Sequence, residues 1–331
     1  MDTTQLRKIL ELQRSLYLVP GDKVLVVVTT SFKNAPIADA LWSYDHQVVK
    51  IPDADYPSQK YDLDNSLFAD KTVGWIISNI SLSHSIGSEM INKGLFVISN
   101  PGITKDWLAV LKTGTETCQL NADKIQEKIG GDIGGEIHII ADDGTDLKVL
   151  VPNGNWAKEI GTRQDLGTNG LYGEYVTAPY ETNGKYVLQP GDFLTNPINE
   201  VIEEITLVIR SNRVVDIKGG VQAETLKAML EKANNPLAFN LGEFAIGINP
   251  AKPKNLRRSV VAEKILGGIH IAIGTNSVCL KETCPDIHKF RSGRYNAGVH
   301  IDAIKFGPSV FFKADGNGQL VTLLKDGKLI V

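Results

Sequence analysis

The chain has 331 residues, 42% of them hydrophobic and 22% charged, with a formal net charge of −3. That is enough for about two domains, each with its own core, and the mild acidity excludes the basic footprint of a nucleic-acid-binding protein. Three cysteines, Cys118, Cys279 and Cys284, form no CxxC pair, which argues against a zinc ribbon or a disulfide framework and fits a reducing cytoplasm.

Met1 to Leu18 is polar with a helical pattern, and is neither a signal peptide nor a membrane span. No later stretch reaches the roughly 18 apolar residues that a span needs, so no membrane partner is expected. After Pro20-Gly21-Asp22, the apolar run Lys23 to Val28 predicts a strand buried on both faces. A helix near Ala35 to Ser43 follows, then a strand from Gln47 to Ile51. Two more strands, Val73 to Ile77 and Leu95 to Ile98, flank a helix around His84 to Lys93. This alternation predicts a doubly wound α/β domain. GxGxxG is missing after the first strand, so a dinucleotide site is not expected.

Ile103 to Ile129 is helical in pattern and stops at Gly130-Gly131. Beyond it the signal becomes mainly β. A hairpin is predicted from Glu136 to Val151 around Asp142-Asp143-Gly144. Gly173 to Ala178, Ile205 to Ser211 and Arg213 to Lys218 follow, the last two turning at Ser211-Asn212. After a helix near Ala223 to Ala233 come Phe244 to Ile248, Gly268 to Ile273 and a β-rich tail to Val331. The expected division is an α/β domain over residues 1–129 and a mainly β, α+β catalytic domain over residues 130–331.

Two of the six histidines, His270 and His300, sit in apolar strand-type segments. On a strand, residues two apart share a face, so His300 and Asp302 project together. Such a pair can supply two ligands to a divalent metal, act as an acid/base couple, or be a buried histidine satisfied by its own aspartate. Glu243 lies at the edge of an apolar run where a charge must be paired or bound. Glu174 is acidic among strand-type residues; either glutamate could instead face water at a strand end. Together these side chains make a sulfur-free oxygen and nitrogen set suited to zinc, cobalt, manganese or iron(II), singly or as a pair. The subset His270, His300 and Asp302 has the composition of a two-His-one-carboxylate triad.

Leu-Gly-Glu243, then His270 27 residues later, then His300-x-Asp302, resembles the ligand series of the M29 metallo-aminopeptidases, the aminopeptidase T family. Gly-Glu174-Tyr-Val-Thr-Ala-Pro, Gly144 to Leu147 and Arg213 to Asp216 resemble further family segments. The resemblance implies metal ligands at Glu174, Glu243, His270, His300 and Asp302, one or two divalent ions and a homodimer. It also implies hydrolysis of short peptides at the amino terminus, with Glu174 or Glu243 bridging metals or acting as general base. The tyrosine that the peptidase site carries about seven residues after the first histidine is replaced by Ser277; Tyr295 is the nearby candidate for its role.

Iron(II) ring-cleaving dioxygenases similar to 2,5-dihydroxypyridine 5,6-dioxygenase share the scaffold. They imply a single iron on His270, His300 and Asp302, with Glu174 left as acid/base. Asn249-Pro250, Glu263-Lys264-Ile265-Leu266-Gly267 and the chain length resemble that group. A small-molecule or short peptide substrate is expected in either case. A binding or assembly protein that retains the scaffold without turnover is the third reading; the complete ligand set argues against it. Thr275 to Tyr295 is the expected specificity loop. In it Cys279, Cys284 and His288 could form a second metal site, and Arg291 and Arg294 could bind a substrate carboxylate.

Overall fold

The computed structural model describes all residues except 56–58, 60, 164–166, 196–197, 254–255, 257–258, 277–294, 317 and 331, and describes only the backbone of 83–84 and 167–169. Ser277, Cys279, Cys284, His288, Lys289, Arg291 and Arg294 therefore lie outside the described residues. The chain forms two compact units: Met1–Thr115 with Ile160–Tyr172 and Ala251–Asn255, and Glu116–Glu159 with Gly173–Pro250 and Leu256–Val331.

The first unit is built on a five-stranded parallel sheet in the order 45–51, 23–29, 73–78, 96–101, 167–169. Strands Lys23–Thr29 and Val73–Ser78 lie inside it and are buried along nearly their whole length, as a continuous apolar run requires. Asp45–Ile51, at the edge, keeps most of its side chains in contact with solvent. The helix Thr3–Tyr17 starts at Asp2, whose carboxylate accepts the Gln5 amide at 2.8 Å, and it turns Leu6, Ile9, Leu10, Gln13 and Tyr17 inward. The helix predicted near Ala35 to Ser43 contracts to Ile37–Ala40, preceded by Pro36 and followed directly by the turn at 41–43. The helical stretch from Ile103 divides into Trp107–Leu111 and Thr115–Ile129 around Gly114, whose φ of +88° no helix accommodates.

The second unit contains two antiparallel sheets. One has eight strands, with the predicted hairpin as Gly135–Ile140 and Asp146–Val151, and the predicted Ser211-Asn212 turn with both residues at positive φ. The other has seven, in the order 199–200, 193–194, 295–306, 268–276, 241–247, 174–177, 157–159. The short strands Phe193–Leu194, Asn199–Glu200 and Ala157–Glu159 carry too few residues to show a period in sequence. Tyr186 of the eight-stranded sheet donates to the Ala303 carbonyl at 3.1 Å, and Lys305 reaches the Val187 carbonyl at 2.9 Å. Residue 305 therefore faces the eight-stranded sheet, and by strand alternation residues 300 and 302 face the other way. No helix among the described residues is long and apolar enough to cross a membrane.

Candidate metal centre

The three central strands Leu241–Gly247, Gly268–Asn276 and Tyr295–Phe306 bring four of the five expected donors onto one face. Asp302 lies directly opposite Ala272, His300 opposite Gly274, and His270 opposite Ala245 and Ile304. Ala272, Gly274 and Ala245 in these rows are small, which leaves room for the polar heads. Glu243 reaches this face through a bulge. Leu241 pairs with Ile273, but the next pair is Glu243 with Ala272, so Gly242 is an extra residue. In unbroken register Glu243 would lie opposite Ile271 and point to the other side of the sheet. Only glycine fits the bulge, since a Cβ on Gly242 would lie 2.4 Å from the Thr275 carbonyl. Glu174, on the next strand, pairs with Gly247 and completes the set.

The five side chains form two three-donor groups, Glu174–Glu243–His270 and Glu243–His300–Asp302, each able to hold a metal ion. Glu243 belongs to both. His270 Nε2 is 2.9 Å from Glu243 Oε1 and 3.3 Å from Glu174 Oε2. His300 Nε2 is 3.0 Å from Asp302 Oδ1 and 3.9 Å from Glu243 Oε2. Both imidazoles thus aim Nε2 at the same carboxylate. Side-chain exposure rises from 1% at His270 and 4% at Glu174 to 15% at His300, so the His300 end is the solvent side of the cluster.

Three desolvated carboxylates this close need positive charge. His300 supplies part of it. Its Nδ1 faces the Thr275 carbonyl at 2.9 Å and its Nε2 faces Asp302, so both nitrogens donate. Burial opposes the charge, but Asp302 and then Glu243 outweigh it and hold the imidazole up at about 10. Burial likewise works against the Asp302 carboxylate, and His300 overrides it, keeping the group well below the usual range. A divalent ion would replace the Nε2 proton here, leaving the Thr275 carbonyl to orient the ring. The buried His270 Nδ1 has no hydrogen-bond partner among the described residues, so that ring is held from its Nε2 side.

Thr195 fixes Asp302. Its hydroxyl donates to Asp302 Oδ2 at 2.9 Å and accepts the Asp302 amide at 2.8 Å, which leaves Oδ1 for His300 or an ion. Lys264 is fully buried and is ion-paired with Glu174, with Glu263 at 3.1 Å and Glu159 at 3.4 Å. Burial pulls its ammonium below the ordinary lysine range, while Glu159 and Asp302 act against that. Burial also raises the Glu263 carboxyl well above its usual range, reinforced by Asp302, Glu243 and Glu159. Sequence reading marked the segment around Lys264 without giving that residue a role, and it did not single out Thr195. A Glu263-Lys264 pair set between apolar residues was the available signal for the first; nothing in the short Phe193–Thr195 stretch marks the second.

Tyr295 donates a 3.4 Å hydrogen bond to the Leu241 carbonyl, two residues from Glu243, and burial raises its phenol so that it stays neutral. His46 and His138 lie elsewhere, on the Tyr44 carbonyl and on Asp146 respectively. The two segments that resemble the dioxygenase group are neighbours in space. Asn249 accepts the Leu266 amide through its carbonyl at 2.8 Å and donates its own amide to the Lys264 carbonyl at 2.9 Å.

A sulfur-free cluster of imidazoles and carboxylates, buried on one face of an antiparallel sheet, is the kind of donor set that metal-dependent enzymes use. Residues 113–256 match the NicX family model, 2,5-dihydroxypyridine 5,6-dioxygenase. The whole chain is similar in fold to 2,5-dihydroxypyridine dioxygenase from Pseudomonas putida KT2440, with a TM-score of 0.71, 16% identity, and coverage of 100% of this chain and 98% of that one. It is also similar to wild-type AmpT from Thermus thermophilus, with a TM-score of 0.65, 15% identity and 99% of each chain covered. No curated protein sequence is significantly similar. The resemblance to the group joining the M29 aminopeptidases and the 2,5-dihydroxypyridine dioxygenases stands, and the chain has the fold of both branches.

Proposed function

We propose that this chain is a metal-dependent enzyme that opens a hydroxylated nitrogen-containing aromatic ring with dioxygen, using one iron(II) held by His270, His300 and Asp302. The observation that carries the reading is that both imidazoles aim Nε2 at one carboxylate, Glu243, with Asp302 Oδ1 3.0 Å from His300 Nε2. Two imidazoles and one carboxylate are the donor set of non-haem iron oxygenases, and the family model matched over residues 113–256 favours the same branch. When bound, the ion supplies activation of dioxygen and of a ring hydroxyl.

The protein's residues do the rest. Thr195 and the Thr275 carbonyl orient Asp302 and His300. Glu243, between the imidazoles, would give up its hydrogen bonds to the incoming ion and serve with Glu174 as a proton acceptor for a ring hydroxyl. Substrate would approach from the His300 end, where side-chain exposure is greatest. We place the protein in the cytoplasm as a homodimer with a small-molecule substrate.

Hydrolysis at a peptide amino terminus is the second reading, favoured by Glu243. A carboxylate shared by two three-donor groups is placed as a bridge between two ions, and Tyr295 is then the neutral donor near the site. Anaerobic purification, metal counting and two assays separate these readings. Oxygen uptake with 2,5-dihydroxypyridine at one iron per chain is expected. Release of amino acid from a peptide anilide at two zinc, cobalt or manganese ions per chain, without oxygen uptake, would replace it by the hydrolase.

A further inference from the structure

We propose that Lys264 sets the metal count of this site at one, by supplying a fixed positive charge to Glu174 in place of a second ion. This deepens the single-ion reading and rests on it. The placement of Lys264 is built into the fold. Segment 263–265 passes over the strand at Gly247, the residue paired with Glu174. A Cβ on Gly247 would lie 2.2 Å from the Ile265 carbonyl, so the close crossing requires glycine. The crossing is pinned on both sides, by the Asn249 amide on the Lys264 carbonyl at 2.9 Å and the Leu266 amide on the Asn249 carbonyl at 2.8 Å. The lysine side chain is fully buried and drops onto Glu174 Oε1, with Glu263 and Glu159 completing its surroundings.

Glu174 therefore presents one oxygen to an ammonium and the other to His270 at 3.3 Å. An ion in the Glu174–Glu243–His270 group would have to share that carboxylate with a cation that cannot leave, and would feel the ammonium's repulsion at short range in a desolvated site. The three donors of the single-ion reading, His270, His300 and Asp302, do not include Glu174, so the ammonium on Glu174 leaves that set complete. The same five donors can thus accept two ions or one, and the residue at 264 decides which. A neutral side chain of similar length would free Glu174 and open the second position.

The test uses the full chain, stripped with chelator and titrated anaerobically with Mn(II), bound ions being counted after desalting and folding followed by circular dichroism. Wild type is expected to bind one ion per chain. Lys264→Met is expected to bind two, the second at least tenfold more tightly than any second ion in wild type. The double variant Lys264→Met with Glu174→Gln removes the cation and its carboxylate together, and is expected to return to one ion with an affinity within about threefold of wild type. Two ions of comparable affinity in wild type would overturn both this role and the single-ion reading. One ion in wild type and still one in folded Lys264→Met would overturn the role of Lys264 alone. If Lys264→Met fails to fold, the double variant decides: loss of its single ion would make Glu174 a ligand and overturn the proposal.

Discussion

Two buried lysines serve the two faces of the seven-stranded sheet, and their surroundings differ in a way that separates a clamp from a site. Lys305 projects toward the eight-stranded sheet and meets Asp143, the Val187 carbonyl at 2.9 Å and Asp192 at 3.6 Å. For Asp143, burial disfavours the charge, but Lys305 and the Thr145 amide outweigh it and leave the carboxyl below its ordinary range; burial leaves Asp192 above it. One ammonium is thus held between two carboxylates and a backbone carbonyl. Lys264, on the donor face, is surrounded by three carboxylates, and one of these also faces His270. Glu243 and Asp302 stand beyond it. Equal burial of the two lysines teaches nothing about role; the carboxylate that the second lysine shares with His270 marks the functional face.

The comparison is broken most strongly at the clamp. Lys305→Met leaves a buried, uncompensated Asp143, and should cost about 3–5 kcal/mol in denaturant unfolding while ion binding per folded chain stays unchanged. A loss of ion binding with unaltered stability would reverse the assignment of the two faces. On the donor face, His300→Ala and Asp302→Ala should each weaken Mn(II) binding by more than about 100-fold, beyond what an orienting residue contributes. Their folds should survive, judged by circular dichroism and a cooperative thermal transition; unfolding of both variants would make the pair structural.

Thr195→Val removes the hydrogen bonds that hold Asp302 and should weaken Mn(II) binding about 10–100-fold, with Thr195→Ser restoring most of it. An unchanged affinity in the valine variant would show that Asp302 needs no such support. The smallest effect concerns a group away from both faces. Burial pushes the Cys118 thiol up to about 12, so with Cys279 and Cys284 replaced by serine the native chain should resist thiol reagents at pH 8 and react only on unfolding. Rapid labelling of the native chain would place Cys118 at an accessible surface.

Much of this was legible in the sequence. The parallel-sheet strands announce themselves as apolar runs, and the two hairpin turns by Asp142-Asp143-Gly144 and Ser211-Asn212. His300 and Asp302 share a face because they are two apart on a strand, which is a local fact. Glu243 is different. Counting along its strand gives no hint that Gly242 is a bulge, and without the bulge its carboxylate would lie on the wrong face. Thr195 meets Asp302 across 107 positions of sequence, and Lys264 meets Glu174 through a crossing that depends on Gly247 in the strand beside Glu174. Such contacts leave no period or motif to read, because strand pairing rather than spacing brings them together.

The donors themselves, two imidazoles and three carboxylates in strand-forming segments without sulfur, follow from the sequence by itself, as does the order of an α/β half and a mainly β half. Residue type sets which metals can be bound, and alternation sets which neighbours on one strand can act together. Only the tertiary structure decided that Glu243 stands between both histidines, that Asp302 is held by Thr195, and that a lysine already occupies Glu174. Charge balance in a buried cluster is a property of every group that reaches it, from whatever distance along the chain, so the ion count proposed for this site rests on packing and not on the motif.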